Sequence, residues 1–117
     1  MSADKLKHPR EYRAVFTHGV RVGAGCFLFY VQRQSLDCAR LGLGIAKRQV
    51  PTAVARNRLK RVIRESFRAI ATSLRGYDVV VVARRPASAL TKPEVWAQLS
   101  RGWVKVSEAA RSPAETT

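Results

Sequence analysis

The segment from Lys47 to Arg68 constrains the fold more than any other part of the chain. Its second half repeats apolar residues at the spacing i, i+3, i+4, i+8 and i+11, which predicts an α-helix with one apolar stripe. The stripe consists of Leu59, Val62, Ile63, Phe67 and Ile70. Because cations occupy most positions on the opposite side, the chain must bury one side of this helix while the other side stays strongly basic.

The charges of this segment favour a polyanionic partner over a merely solvated helix face. Its 22 residues contain eight cations and one acid, so it carries half of the chain's formal net charge of +14. Solvated faces usually mix both signs at the spacing i, i+4. Here Lys60, Arg64 and Arg68 follow one another at that spacing and repel, at a cost of roughly 0.2–0.5 kcal/mol for each pair. A nucleic acid would turn that cost into a gain.

Length and composition narrow the class of protein. A chain of 117 residues with 46% apolar residues makes one domain with a modest core. It has no apolar run of 18 or more residues and no signal-peptide core near its first residue, so we expect no membrane span and a cytoplasmic location. Cys26 and Cys38 lack CxxC spacing and a nearby pair of histidines, which indicates reduced structural thiols and not a zinc site.

Local signals predict the helices. Pro9 suits the first turn of a short helix, and Gly19 is a plausible stop for it. The basic helix follows later in the chain. Thr91 and Glu94 form a capping box that opens a last helix, in which Gly102 indicates either fraying or close packing.

Alternating and continuous apolar runs predict the strands. Strands are expected over 26–33 and 40–48, and the run over 77–84 is apolar on both sides, as in a strand covered on both faces. The order is α-β-β-α-β-α, with an additional strand possible over 20–25. We expect the single domain to span 9–106, between a flexible segment over 1–8 and a disordered tail over 107–117.

Three aromatic residues are candidates for stacking on unpaired bases. Tyr12 and Phe16 share a helix face, where they are either core aromatics or one edge of a groove. Tyr30 points to the side of its strand that we expect to be partly open. The 40–48 strand is nearly bare on one face, which lets a helix or a nucleic-acid backbone approach closely. Its bare positions are Gly42, Gly44 and Ala46.

The sequence offers no clear catalytic constellation. Its eight acids are scattered, and no two lie at metal-ligand spacing on one element. His8 and His18 flank the first helix about three turns apart, which is a weak basis for an acid–base pair. The chain also lacks the GxxxxGK[ST] phosphate loop. We therefore expect a binding protein without catalytic side chains and without a metal site of its own.

Several motifs resemble, in order, the signature of the protein subunit of bacterial ribonuclease P. The resemblance runs over about residues 5 to 106 and includes the aromatic residues of the first helix and strand. Its central part begins with an apolar strand motif and continues with basic motifs: Leu41-Gly42-Leu43, Lys47-Arg48, Arg56-Asn57-Arg58, Lys60-Arg61 and Arg64-Glu65. Family members often carry a hydroxyl at the positions of Gly44 or Ala46, and a Phe is common at the position of Tyr12.

The resemblance implies an α+β fold. This is an αβββαβα two-layer sandwich of a kind also found in a ribosomal protein domain, with a left-handed βαβ crossover through the basic helix. It also implies a ribonucleoprotein endonuclease. By this resemblance we expect the RNA subunit to hold the catalytic Mg²⁺ and to remove the 5′ leader of precursor tRNA by hydrolysis, while one protein per RNA binds both the catalytic RNA and the leader.

The resemblance assigns two sets of residues. The catalytic RNA would contact Arg56, Asn57, Arg58, Lys60, Arg61, Arg64 and Arg68. The leader would lie in a cleft lined by Tyr12, Phe16 and Tyr30, with Lys47 and Arg48 at its rim. An alternative is a structural RNA-binding protein of ribosomal type. A cationic membrane-binding protein is disfavoured, because a folded core needs the apolar side of the helix.

Overall fold

One mixed β-sheet with helices on both faces makes up the fold. The computed structural model describes residues 3–34, 37–84 and 87–111. In chain order these contain β1 (Ala3–Lys5), α1 (Pro9–His18), β2 (Val20–Ala24), β3 (Phe27–Arg33), β4 (Ala39–Gly44), α2 (Ala53–Ile70), β5 (Tyr77–Ala83) and α3 (Lys92–Arg111). Short 3₁₀ turns over Ala71–Leu74 and Ala87–Ala89 precede β5 and α3.

The strands lie in the order β1-β4-β5-β3-β2. The pairs β1–β4 and β4–β5 are parallel, whereas β3–β5 and β2–β3 are antiparallel. The α+β fold with the basic helix α2 connecting two neighbouring parallel strands is therefore confirmed, and so is the additional strand near residues 20–25, as β2. The left-handed sense of the β4–α2–β5 crossover stays a prediction from the resemblance.

The larger core lies between the sheet and the helices α2 and α3. Alternate residues of β3 point into it, because successive side chains of a strand face opposite sides of the sheet. Phe27, Phe29 and Val31 are buried there against the apolar stripes of both helices. The buried helix residues are Leu59, Val62, Ile63 and Phe67 of α2 and Val95, Leu99, Trp103 and Val106 of α3.

Gly102 lets α3 approach the sheet closely. A Cβ atom at this position would collide with the ring of Phe29. The Phe29 ring meets the edge of Trp103 at a centroid distance of 5.0 Å, and Trp103 Nε1–H donates to Ser66 Oγ on α2 at 2.6 Å. Of the two interpretations of Gly102, close packing is therefore the one that the fold supports.

A smaller core lies on the other face of the sheet, under α1. Val15 of α1 is buried against Val80 of β5 and Leu6, and Tyr30 and Val82 pack beside them. Since Tyr30 adjoins buried Phe29 in β3, α1 must lie on the opposite side of the sheet from α2 and α3.

Three predicted boundaries are wrong. Residues 3–5 form β1 and Leu6 is buried, so the packed structure begins before the predicted start at residue 9. The 40–48 strand ends at Gly44, because the N–H groups of Gln49 and Val50 both donate to the Ala46 carbonyl and close a turn. The helix α3 continues to Arg111 and not 106, held in part by a 2.9 Å hydrogen bond from Tyr77 Oη to the Ala110 carbonyl. Residues 1–2 and 112–117 lie outside the described residues.

One local prediction is confirmed. At the start of α3, Thr91 N–H donates to Glu94 Oε1 at 2.8 Å and Glu94 N–H donates to Thr91 Oγ1 at 3.3 Å, which is the capping box. Cys26 and Cys38 are both free and half-buried, and their role as reduced structural thiols stays a prediction.

Candidate nucleic-acid interface

One exposed side of α2 carries the residues that the resemblance assigns to the catalytic RNA. Thr52 caps the helix, since its Oγ1 accepts from Ala55 N–H at 3.2 Å. Two of the assigned residues, Arg56 and Lys60, are half-buried. The others are exposed: Asn57, Arg58, Arg61, Arg64 and Arg68. Within residues 3–34, 37–84 and 87–111, no cation of α2 forms an ion pair with a carboxylate. Their charge is therefore available to a partner.

Arg56 differs from its neighbours because it also stabilises the protein. Its Nη1 donates to the carbonyls of Val50 and Pro51, at 3.0 and 2.9 Å. These contacts fold the guanidinium back onto the loop that precedes α2. Sequence reasoning gave Arg56 an RNA contact only, whereas the structure adds this local role.

The two aromatic residues of α1 differ in how far they are buried. Tyr12 is half-buried, and its ring fills the space above Gly42 of β4, where a Cβ atom would overlap it. Phe16, by contrast, is 43% exposed, and its ring meets Tyr30 edge-on at a centroid distance of 4.8 Å. The bare face of β4 is thus covered at Gly42 by a side chain of α1, while the Phe16–Tyr30 pair reaches the surface.

A partly open row of the sheet continues from this aromatic pair. We call it the open row, and it runs across four strands as Gly44, Val82, Leu28 and Gly23. All four residues are half-buried, so the row forms a shallow apolar floor beside α1. Lys47 and Arg48 are exposed in the turn that follows β4 beyond Gly44, which puts two cations at this end of the sheet.

A network of three charged side chains ties α1 to the sheet. Arg40 of β4 donates from Nε and Nη2 to the two carboxylate oxygens of Asp78 on β5, at 2.8 and 2.7 Å. Its Nη1 donates to Glu11 Oε2 on α1 at 3.0 Å. Asp78 is only 1% exposed, so this bidentate pairing is what satisfies a buried carboxylate.

The ionisation of this network follows from its hydrogen bonds. Glu11 Oε1 accepts from the backbone N–H groups of His8 and Lys7, at 3.0 and 2.8 Å. The bonds from His8 and Lys7, followed by the charge of Arg40, lower the pKa of Glu11 to about 2. The hydrogen bonds to Asp78, followed by the charges of Asp78 and Glu11, raise the pKa of Arg40. Glu11 and Arg40 therefore stay ionised near neutral pH.

Sequence reasoning missed this network, although one signal pointed to it. Asp78 is an acid inside an otherwise apolar strand that is covered on both faces, and a buried carboxylate requires a cationic or hydrogen-bonding partner. The identity of that partner depends on the pairing of β4 with β5, where Arg40 lies opposite Asp78.

The described part of the chain contains no group of three His, Cys, Asp or Glu side chains that could hold a metal ion. Two of its acids, Glu11 and Asp78, are already engaged by Arg40. Among the helices described, none is both long enough and apolar enough to cross a membrane.

Comparisons with known proteins agree with one another. The ribonuclease P family profile matches residues 1–107. The chain is 42% identical to the ribonuclease P protein component of Azotobacter vinelandii, over 96% of this chain and 85% of that protein. It is 37% identical to that of Aliivibrio fischeri, over 92% of both chains.

Solved structures give the same result for the fold. The RNase P protein of Staphylococcus aureus superposes with a TM-score of 0.81 at 27% identity, covering 90% of this chain and 95% of that one. The RNase P protein from Thermotoga maritima gives a TM-score of 0.73 at 26% identity, covering 84% and 93%. With its profile match, its relatives and its fold in agreement, the chain belongs to the ribonuclease P protein component family.

Proposed function

We propose that this protein binds the catalytic RNA of ribonuclease P and the 5′ leader of precursor tRNA, and so assists endonucleolytic removal of the leader. The observation that carries the proposal is the presence, in one small domain, of a helix side whose cations form no ion pair with a described carboxylate, and of a partly open aromatic and apolar floor. The first suits a folded RNA rich in phosphates, and the second suits an unpaired strand.

The catalytic RNA is assigned to α2. Guanidinium groups contact phosphate oxygens in a bidentate manner, and Asn57 can donate and accept at once. Because the α2 cations have no carboxylate partner among the described residues, they gain by contact with phosphates and by release of counterions.

The leader is assigned to the open row and to Phe16. A single-stranded leader offers exposed base faces, and each base stacked on an aromatic side chain contributes about 1–3 kcal/mol. Tyr12, Phe16 and Tyr30 supply the rings, and Lys47 and Arg48 supply charge for the leader backbone.

Hydrolysis is assigned to the RNA subunit. The described residues offer no cluster of metal ligands, so we propose that the RNA holds the catalytic Mg²⁺ and that the protein's cations reduce repulsion between the two RNAs. We also propose one protein per RNA in a cytoplasmic particle.

Reconstitution with a cognate catalytic RNA at low Mg²⁺ tests the proposal. The protein should increase cleavage of leader-bearing precursor tRNA and should bind precursor more tightly than mature tRNA in the presence of the catalytic RNA. Equal affinity for both, with no gain in cleavage, would instead favour a structural RNA-binding protein of ribosomal type. Cleavage by protein freed of all RNA would refute the assignment of catalysis to the RNA subunit.

The α2 assignment has its own test. Replacing Arg58 and Arg61 by Ala should weaken binding to the catalytic RNA and flatten its dependence on salt, by about 0.7–0.9 in the log–log slope for each lost phosphate contact. The matched control replaces Arg33 and Arg101, which are exposed on β3 and α3, and removes the same charge. If both double variants weakened binding equally, the protein would bind this RNA through its net charge and not through a defined interface on α2.

A further inference from the structure

A cavity beside α2 is lined by apolar and aromatic residues as well as by cations, whereas phosphate contacts alone would require only the cations. It has a volume of about 270 Å³ and lies between the edge of β4 and the basic side of α2. Residues of three elements form most of its wall: Tyr12, Leu43, Phe67, Lys60, Arg64 and Arg68. The cavity therefore joins α1, which carries leader-cleft candidates, to the helix assigned to the catalytic RNA.

The end of β1 leaves the edge of the sheet accessible at this point. The pairing of β1 with β4 ends at Lys5 and Leu41. Beyond that pair β4 continues to Gly44, and Leu43 contributes to the cavity wall. A ligand in the cavity would thus lie against the outer edge of β4.

The wall combines apolar and cationic parts. Leu43 and Phe67 provide an apolar floor, and the Tyr12 ring is held in place over Gly42. Lys60, Arg64 and Arg68 lie one helical turn apart along α2 and bring three positive charges to the same cavity. A ligand that fits both parts has a flat, largely apolar portion and an anionic portion.

The volume favours a small group. At about 270 Å³, it lies just below the range of roughly 300–1,000 Å³ that is typical of small-molecule pockets. One base of an RNA strand, with its phosphate at the rim, meets these limits.

We propose that this cavity binds one unstacked nucleotide of the catalytic RNA. The base enters against Leu43 and Tyr12, and the flanking phosphates contact Lys60, Arg64 and Arg68. This inference rests on the proposed function, and it adds a base-binding site to a surface otherwise assigned to phosphates. It also couples the two RNA surfaces, because Tyr12 belongs to the same helix as Phe16.

A filling variant tests the site without changing charge. Leu43→Trp should occupy the cavity and weaken binding to the catalytic RNA about tenfold, as expected for loss of one stacked base. The salt dependence of binding should stay unchanged, because the phosphate contacts remain. The control is Val104→Trp, which adds the same side chain at an exposed position of α3 and should leave affinity unchanged.

The outcomes separate this inference from the proposed function. Normal binding by the wild-type protein together with normal binding by Leu43→Trp overturns the cavity alone, whereas failure of the wild-type protein to bind the catalytic RNA removes both proposals. A defect confined to leader-bearing precursor, with catalytic-RNA binding intact, would assign the nucleotide to the leader and overturn the assignment made here.

A second measurement uses the wild-type protein and does not depend on the folding of a variant. Titration with 5′-AMP, followed by NMR, should shift the methyl signals of Leu43 and the ring signals of Tyr12. Inorganic phosphate at equal concentration should shift neither. Identical responses to AMP and phosphate would overturn a base-binding site.

Discussion

The two faces of the sheet differ in how completely the helices cover them. On one face α2 and α3 bury a continuous core in which Phe29 is fully inaccessible and Trp103 nearly so. On the other face the single helix α1 covers only part of the sheet and leaves Phe16 and the open row at the surface. The larger core and the side chains proposed to contact the leader thus lie on opposite faces, so substitutions in these two sets should affect different measurements.

The strongest challenge to this separation is Phe29→Ala. Removal of a fully buried ring should lower the free energy of unfolding by about 3–5 kcal/mol, measured by urea denaturation. Phe29→Leu is the milder control and should cost less. A loss smaller than that caused by Phe16→Ala would contradict the division between the faces.

On the less covered face, the charged network adds to the stability that the smaller core provides. Arg40→Met leaves the carboxylate of Asp78 buried without its partner and should cost about 3 kcal/mol. Adding Asp78→Val removes that carboxylate and should recover most of the loss, since an apolar replacement of a buried ion pair is often neutral. Denaturation of the single and double variants measures both effects, and equal instability of the two would argue against the network.

Phe16→Ala is the corresponding test on the less covered face of the sheet. Because Phe16 is 43% exposed, the substitution should cost at most about 1 kcal/mol of stability, through loss of the ring contact with Tyr30. Binding of leader-bearing precursor should weaken by about 1–3 kcal/mol, and binding of mature tRNA should not change. The control Val104→Ala removes an exposed apolar side chain from α3 and should affect neither substrate.

The smallest expected effect concerns pH. The pKa of Glu11 falls from 4.5 to about 2 on folding, so its contribution to stability is present above pH 4.5 and is lost as the pH falls towards 2. Glu11→Gln should therefore lower Tm near pH 6, and the difference from the wild-type protein should shrink in acid. A difference that stays constant between pH 6 and pH 2.5 would show that Glu11 acts through packing and not through its charge.

Local signals in the sequence predicted the elements with short-range causes. The apolar stripe of α2 repeats within one helix, and the capping box at Thr91 and Glu94 spans four residues, so both are visible without the fold. The strand β1 has no such signature. Its three residues form a strand because they pair with Ala39–Leu41, and that partner is far along the chain.

The same contrast between local and distant causes applies to the candidate sites. The α2 cations could be named from sequence because they lie on one helix. The open row and the Arg40–Asp78 pair depend on which strands are neighbours, and the β4–β5 register decides both. The hydrogen bonds from Arg56 to the carbonyls of Val50 and Pro51 depend on the path of that loop. Composition and periodicity do not predict this path.

The close approach at Gly102 has a consequence for how this protein can change over evolutionary time. Since the ring of Phe29 occupies the volume that any larger residue at 102 would need, position 102 cannot gain a side chain while Phe29 is kept unless α3 moves. We expect lineages that acquire a side chain at 102 to carry a smaller residue at 29, so that the two positions drift as a linked pair although 73 positions separate them in the sequence.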